Sequence, residues 1–185
     1  LLLWKLIIIY IVARIITYNL QIVPPGEHLT LKWQLMNPEL LSKDLFKTLY
    51  YLHYQPPLWN FIYGLFIKLL GIDYIKIGVA LHFFNIFFSL ITIYYFYLIV
   101  NFFKLQKYQI YIFYLVFFIF SISFIYYETY MHYTHLTVFL FAQFTYLYLK
   151  FSEKFLFRYE LFIYITALIL AFTWSAFSLP FFMIV

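Results

Sequence analysis

Apolar residues in this chain come in long runs divided by short polar stretches, and the lengths of the runs predict helices that cross a membrane. A hydrocarbon core about 30 Å thick takes roughly 20 residues of α-helix, with a range of about 17–25. Five stretches meet that length: Leu1–Leu20, Gly78–Phe103, Tyr108–Tyr126, His132–Leu149 and Tyr159–Leu179. None shows the strict alternation of a half-buried strand. The expected class is all-α: a polytopic membrane protein of about five spans, read as one module over residues 1–185.

Residues 21–76 break the pattern. Pro24, Pro25 and Gly26 end the first span. Asn37 then offers a cap, Pro38 suits the first helical position, and Glu39 falls in the first turn. Leu41, Leu45, Leu49 and Leu52 share one face opposite Ser42, Lys43, Lys47 and Thr48. This predicts an amphipathic helix of about 15 residues lying at the bilayer surface. Pro56 and Pro57 stop it and begin a second segment, Pro57 to Leu70, closed by Gly71. Its 14 residues are too few to cross, so it is expected as a juxtamembrane helix.

That reading fixes the parity of everything after it. Lys104, Lys107, Lys150, Lys154 and Arg158 fall on one side, which the excess of positive charge marks as cytoplasmic. The 21–76 loop and the polar turn around Glu128 then share the opposite, lumenal or periplasmic, side. Lys32, Lys43, Lys47, Lys68 and Lys76 also lie on that side, so the charge rule is not cleanly obeyed.

Composition supports the membrane reading. Hydrophobic residues make up 66% of the chain and charged ones 10%, against roughly 25% charged in a soluble domain. With no Cys, disulfides and Cys-ligated metals are excluded. The 21 Tyr and 26 Phe read as codon bias rather than function. A net charge of +5 is too small to indicate nucleic acid and fits topology or contact with anionic lipid. The chain begins without Met and ends in LPFFMIV, and the expectation is the N-terminal part of a larger protein, cut at both ends.

Few side chains carry chemistry. Glu27 and His28 follow the first span on a Pro-Pro-Gly break, placed to act as a general base or simply to sit in water. His53, Gln55 and Asn60 surround the proline pair, a stiff corner whose polar groups could meet a phosphate or a sugar hydroxyl. Trp33 and Trp59 could stack on a sugar ring or anchor at the interface. Glu128 stands between two apolar runs beside Tyr133 and His135, and an acid at a hydrocarbon boundary is a functional candidate by default. Glu128, His132 and His135 have a spacing that could hold a metal, but no further ligand accompanies them and no metal site is assigned. A hydrogen-bonded network of Glu128, His132 and Tyr133 is the plainer reading. Arg14, His82 and Asn85 are placed to join helices, or a cation among them to pair with a lipid phosphate.

The ordered set of features resembles one family. A single span is followed by Glu27, then HYQPPLWNFIYGLFIKLLG at 53–71, a long span with a short basic turn, and YYETYMHYTHLTVF at 126–139. This layout is similar to the membrane glycosyltransferases of the GT-C fold that use polyprenyl-phosphate sugars, including the protein O-mannosyltransferase and lipid A aminoarabinose transferase group. The resemblance covers nearly all of this chain and the first half of such an enzyme. It departs in lacking an acidic pair at Glu27 and in placing Gln55 before the prolines.

The resemblance implies transfer of a sugar from a dolichyl or undecaprenyl phosphate carrier to an acceptor on the external side; no cofactor is assigned, and whether a divalent metal takes part is left open. Catalysis would fall to Glu27, with Glu128 as a second acidic position. Substrate contacts would come from His28, Trp33, His53, Gln55, Asn60, Tyr133 and His135. Arg14, Lys32, Lys68 and His82 would steady the lipid phosphate. The implied setting is the endoplasmic reticulum membrane, or else a bacterial or organellar inner membrane. Two other classes fit the composition: a non-catalytic subunit of a larger membrane complex, such as an organellar one, and a transporter fragment. The partners implied are membrane lipids, the lipid-linked sugar, and the rest of the chain or a partner subunit.

Overall fold

The computed structural model describes residues 1–19, 35, 37–51, 57–129 and 133–173, and those residues form helices joined by short links, with no strand among them. In chain order the helices are α1 (Leu2–Asn19), α2 (Pro38–Lys43), α3 (Leu45–Tyr50), α4 (Pro57–Leu70), α5 (Tyr74–Phe102), α6 (Lys107–Tyr114), α7 (Ile122–Thr129), α8 (Thr134–Glu153) and α9 (Phe157–Thr173). A π-helical turn, Leu115–Ile119, follows α6.

Local signals place most boundaries. The Asn37 side chain accepts from the Glu39 N–H at 2.8 Å, with Pro38 at the helix start. Gly71 closes α4 at φ 73°, a left-handed position that any side chain would strain. Asp73 then caps α5 by accepting from the Ile75 and Lys76 N–H groups, both at 3.1 Å. The Lys76 backbone N–H and then its ammonium, 3.0 Å away, hold the Asp73 carboxyl below its ordinary range. This cap therefore starts α5 at Tyr74, one turn before the expected Gly78.

Two elements differ from expectation. The single amphipathic helix is two short ones, because Asp44 adopts extended backbone (φ −144°, ψ 93°) and its carboxylate accepts from the Lys47 N–H to cap α3. The third run is broken as well. The Phe120 N–H reaches back to the Leu115 carbonyl, and the Ser121 hydroxyl accepts from the Phe124 N–H to start α7 afresh. The chain bends by 50° there.

Helix directions follow from cross-helix contacts. The Leu6 carbonyl accepts from the Tyr114 hydroxyl, and Arg14 Nη2 donates to the Phe118 carbonyl at 3.1 Å, so α1 runs parallel to α6 and its π turn. Phe96 meets Phe118, and Asn85 meets the Glu128 carbonyl, which makes α5 antiparallel to α6 and α7. Ser89 meets His135, Tyr95 meets Tyr146, and Phe102 meets Lys150, so α8 runs parallel to α5. It follows that α1 ends, α5 begins, α7 ends and α8 begins at one end of the bundle. The chain leaves α1 and enters α5 at that same end.

By length and composition, two described helices can cross a membrane: α1, with 18 residues, and α5, with 29. The bent pair of α6 with its π turn and α7 makes a third if it counts as one span. That is fewer than the five expected. α8 ends in Lys150, Glu153 and the neighbouring Lys154, and α9 is described only to Thr173, with Arg158 and Glu160 in its first turn. The expected tail of the last run, to Leu179, lies outside the described residues.

α4 buries Trp59, Asn60, Tyr63, Gly64 and Ile67, one face at helical spacing, in a core shared with Leu41, Leu45, Ile77 and Leu81. Leu41 and Leu45, the stripe expected to lie on the bilayer, instead pack onto α4 where Gly64 leaves room. A Cβ at position 64 would run into Leu45 Cδ1. Gly64→Val is therefore expected to cost about 1–3 kcal/mol through overpacking and to speed proteolysis within residues 37–51. A melting temperature and digestion rate unchanged in detergent would refute this packing.

Candidate functional site

The polar side chains buried among these apolar helices gather at the end where α1 stops and α5 starts. Glu128, in the last turn of α7, is fully buried. Its Oε1 accepts from the Tyr10 hydroxyl, and its Oε2 accepts from Arg14 Nε at 2.7 Å. Tyr10 and Arg14 lie one turn apart on α1, so a single helix face supplies both partners. The guanidinium sits 4.6 Å over the Tyr10 ring, adding a cation–π contact.

The backbone around the break is tied down by the same group of helices. Phe118 gives its carbonyl to Arg14 Nη2. The Glu128 carbonyl accepts from Asn85 Nδ2 at 3.2 Å and from His82 Nδ1 at 3.3 Å, both on α5. The Phe124 carbonyl accepts from His135 Nε2 at 3.1 Å. A carbonyl can only accept, so neutral His135 carries its proton on Nε2, and its Nδ1 accepts from the Ser89 hydroxyl at 3.0 Å. In an apolar surround, each carbonyl freed by a broken helix needs a donor from elsewhere. Here α1 supplies it to the Phe118 carbonyl at the break, α5 does so for the Glu128 carbonyl at the end of α7, and α8 adds a bond to the Phe124 carbonyl within α7.

Two buried polar atoms have no hydrogen-bond partner among the described residues: Arg14 Nη1 and Asn85 Oδ1. One is a donor and the other an acceptor, and both belong to side chains bonded to Glu128. The arrangement thus holds a neutral ion pair with spare hydrogen-bonding capacity on its positive member. It does not hold a free acid, because both Glu128 oxygens are engaged.

The expected site residues divide accordingly. Arg14, His82 and Glu128 meet directly, and His135 joins them through Ser89 and the Phe124 carbonyl. Tyr133 and Asn60 are buried in the neighbouring core of α4, α5 and α8. Lys68 lies apart from the cluster, its ammonium donating to the Ser42 and Lys43 carbonyls at the end of α2. Glu27, His28, Lys32, Trp33, His53 and Gln55 lie outside the described residues, as does His132 of the expected Glu128–His132–Tyr133 network. Among the described residues no three His, Asp or Glu side chains converge to hold a metal ion. Tyr10 and Ser89 are members that the sequence does not single out. Tyr10 stands i−4 from Arg14, but with 21 tyrosines in the chain that spacing carries little signal.

No family model, curated protein or solved structure matches the chain.

Removing one partner of a buried ion pair leaves an uncompensated charge and costs about 3–5 kcal/mol, whereas replacing both with apolar residues is often near neutral. Arg14→Met alone and Glu128→Met alone are therefore expected to destabilise strongly in detergent melts. The double variant should recover most of the loss. Additive losses would show that the two residues act separately.

Proposed function

We propose that this chain belongs to a membrane glycosyltransferase that moves a sugar from a polyprenyl or dolichyl phosphate carrier to an acceptor hydroxyl. The observation that carries the reading is the antiparallel packing of α1 and α5. It puts the end of α1, the start of α5, the end of α7 and the start of α8 at one end, with α4 between α1 and α5 in sequence and too short to cross. Glu27 stands eight positions after Asn19, the last residue of α1, in the segment that leaves that end. The proposal puts Glu27 on the side of the membrane towards which the Arg14–His82–Glu128 end of the bundle faces.

Within this reading Glu27 takes the proton of the acceptor hydroxyl, and the acceptor oxygen attacks the anomeric carbon. The bond from that carbon to the phosphate oxygen breaks, and the lipid phosphate leaves with the electron pair. Arg14, through its unpartnered Nη1, and His82 are the described groups suited to steady that charge at the membrane edge. Glu128 acts through Arg14 and takes no proton. The five-span count is part of the proposal, with Lys5, Lys104, Lys107, Lys150, Lys154 and Arg158 at the cytoplasmic end and the endoplasmic reticulum as the setting.

One observation favours a second reading. The fully engaged Glu128 is what a non-catalytic membrane subunit would use to join its helices.

Glu27→Gln is expected to abolish transfer from radiolabelled polyprenyl-phosphate sugars in membranes containing the full chain, with abundance unchanged. Full transfer would remove Glu27 from the reaction, and no transfer by the unaltered protein would favour the subunit reading. Single cysteines at Asp73 and Lys104 should label from opposite faces of the membrane. Labelling of both from one face would end the topology on which the proposal stands.

A further inference from the structure

The packing of α2 and α3 onto α4 turns a different surface outward from the one the leucine pattern suggests. With Leu41 and Leu45 buried, α3 presents Phe46 and Tyr50, one turn apart and 75% and 83% exposed. Phe46 meets Phe61 of α4, their ring centroids 6.3 Å apart. Phe61 begins a stripe that continues through Leu65 and Leu69 at four-residue spacing, and Leu69 is 78% exposed. These side chains make one apolar edge across two short helices.

Lys43 and Lys47, both exposed, flank that edge. Of the nearby acids, Asp44 caps α3, and Glu39 is exposed in the first turn of α2. The edge also leads directly into the exposed apolar side of α5. Leu69 is followed by Ile72 and Ile75, themselves exposed, at the start of a helix long enough to cross the bilayer. Aromatic side chains with a lysine rim, beside the entry of a span, match the boundary between headgroups and acyl chains.

We propose that Phe46 and Tyr50, with Phe61, Leu65 and Leu69, form an interfacial anchor that seats α3 and α4 in the bilayer surface, and that Lys43 and Lys47 hold it to anionic headgroups. The anchor does not depend on the sugar-transfer reading.

The chain has no cysteine, so Phe46→Cys and Tyr50→Cys each give a unique site for a nitroxide label. The full chain would be reconstituted in phosphatidylcholine vesicles with and without phosphatidylglycerol, with Glu39→Cys and Leu41→Cys as references. Labels at 46 and 50 should collide readily with oxygen and several-fold less with a water-soluble nickel chelate than the label at 39. Phosphatidylglycerol should draw them deeper. Chelate access equal to that at 39 would place the edge in water and overturn the anchor. Access to neither reagent would mean that protein covers it, a second copy or another partner, and would overturn it too. Unchanged depth with phosphatidylglycerol would remove the role given to the lysines. A label at 41 in contact with lipid would show that the leucine stripe, not this edge, faces the membrane.

Discussion

The ion pair between Arg14 and Glu128 sets the arrangement of the helices around it. Neither charge is tolerable alone among apolar helices, and their attraction offsets much of the cost of leaving water only at close range and in good geometry. At 2.7 Å that condition is met. The pair is better understood as fixing register than as adding net stability. A shift of one residue along α1 would rotate Arg14 by about 100° and carry Tyr10 with it, leaving the acid without either partner. Because Glu128 lies on α7, the same constraint fixes how the broken segment docks against α1.

The break and the pair depend on one another. Ser121 starts α7 afresh, and the 50° bend takes the Phe118 carbonyl out of the helical ladder. Arg14 then satisfies that carbonyl, Asn85 and His82 satisfy the Glu128 carbonyl at the end of α7, and His135 adds a bond to the Phe124 carbonyl. A straight helix would not need the bond from Arg14. This accounts for polar residues on three separate helices at one level, which the sequence displays only as isolated interruptions of apolar runs.

What was legible in the sequence was local. Asn37 with Pro38 and the limits of α4 at Pro57 and Gly71 are set by residues within a few positions of the boundary they make. The cap at Asp44 went unread because the leucine spacing continues across the break. The face that Leu41 and Leu45 turn inward depends on Gly64, distant in sequence, and cannot be read from their own pattern. Ser121 sits in an apolar run that looks continuous. Tyr10 is hidden by the abundance of tyrosine, so the partner of Glu128 was visible as Arg14 only in the general sense that a buried cation seeks an anion.

Helix lengths locate the cluster along the bundle. At 1.5 Å per residue, α1 is about 27 Å long, close to the hydrocarbon thickness, and Arg14 lies about 8 Å from its end. α5 is about 43 Å long and exceeds that thickness by about 13 Å. His82 lies about 12 Å from the start of α5. Both side chains thus sit in the half of their helix nearest the shared end, and the two helices reach that end with different lengths of chain beyond the cluster, five residues on α1 and eight on α5.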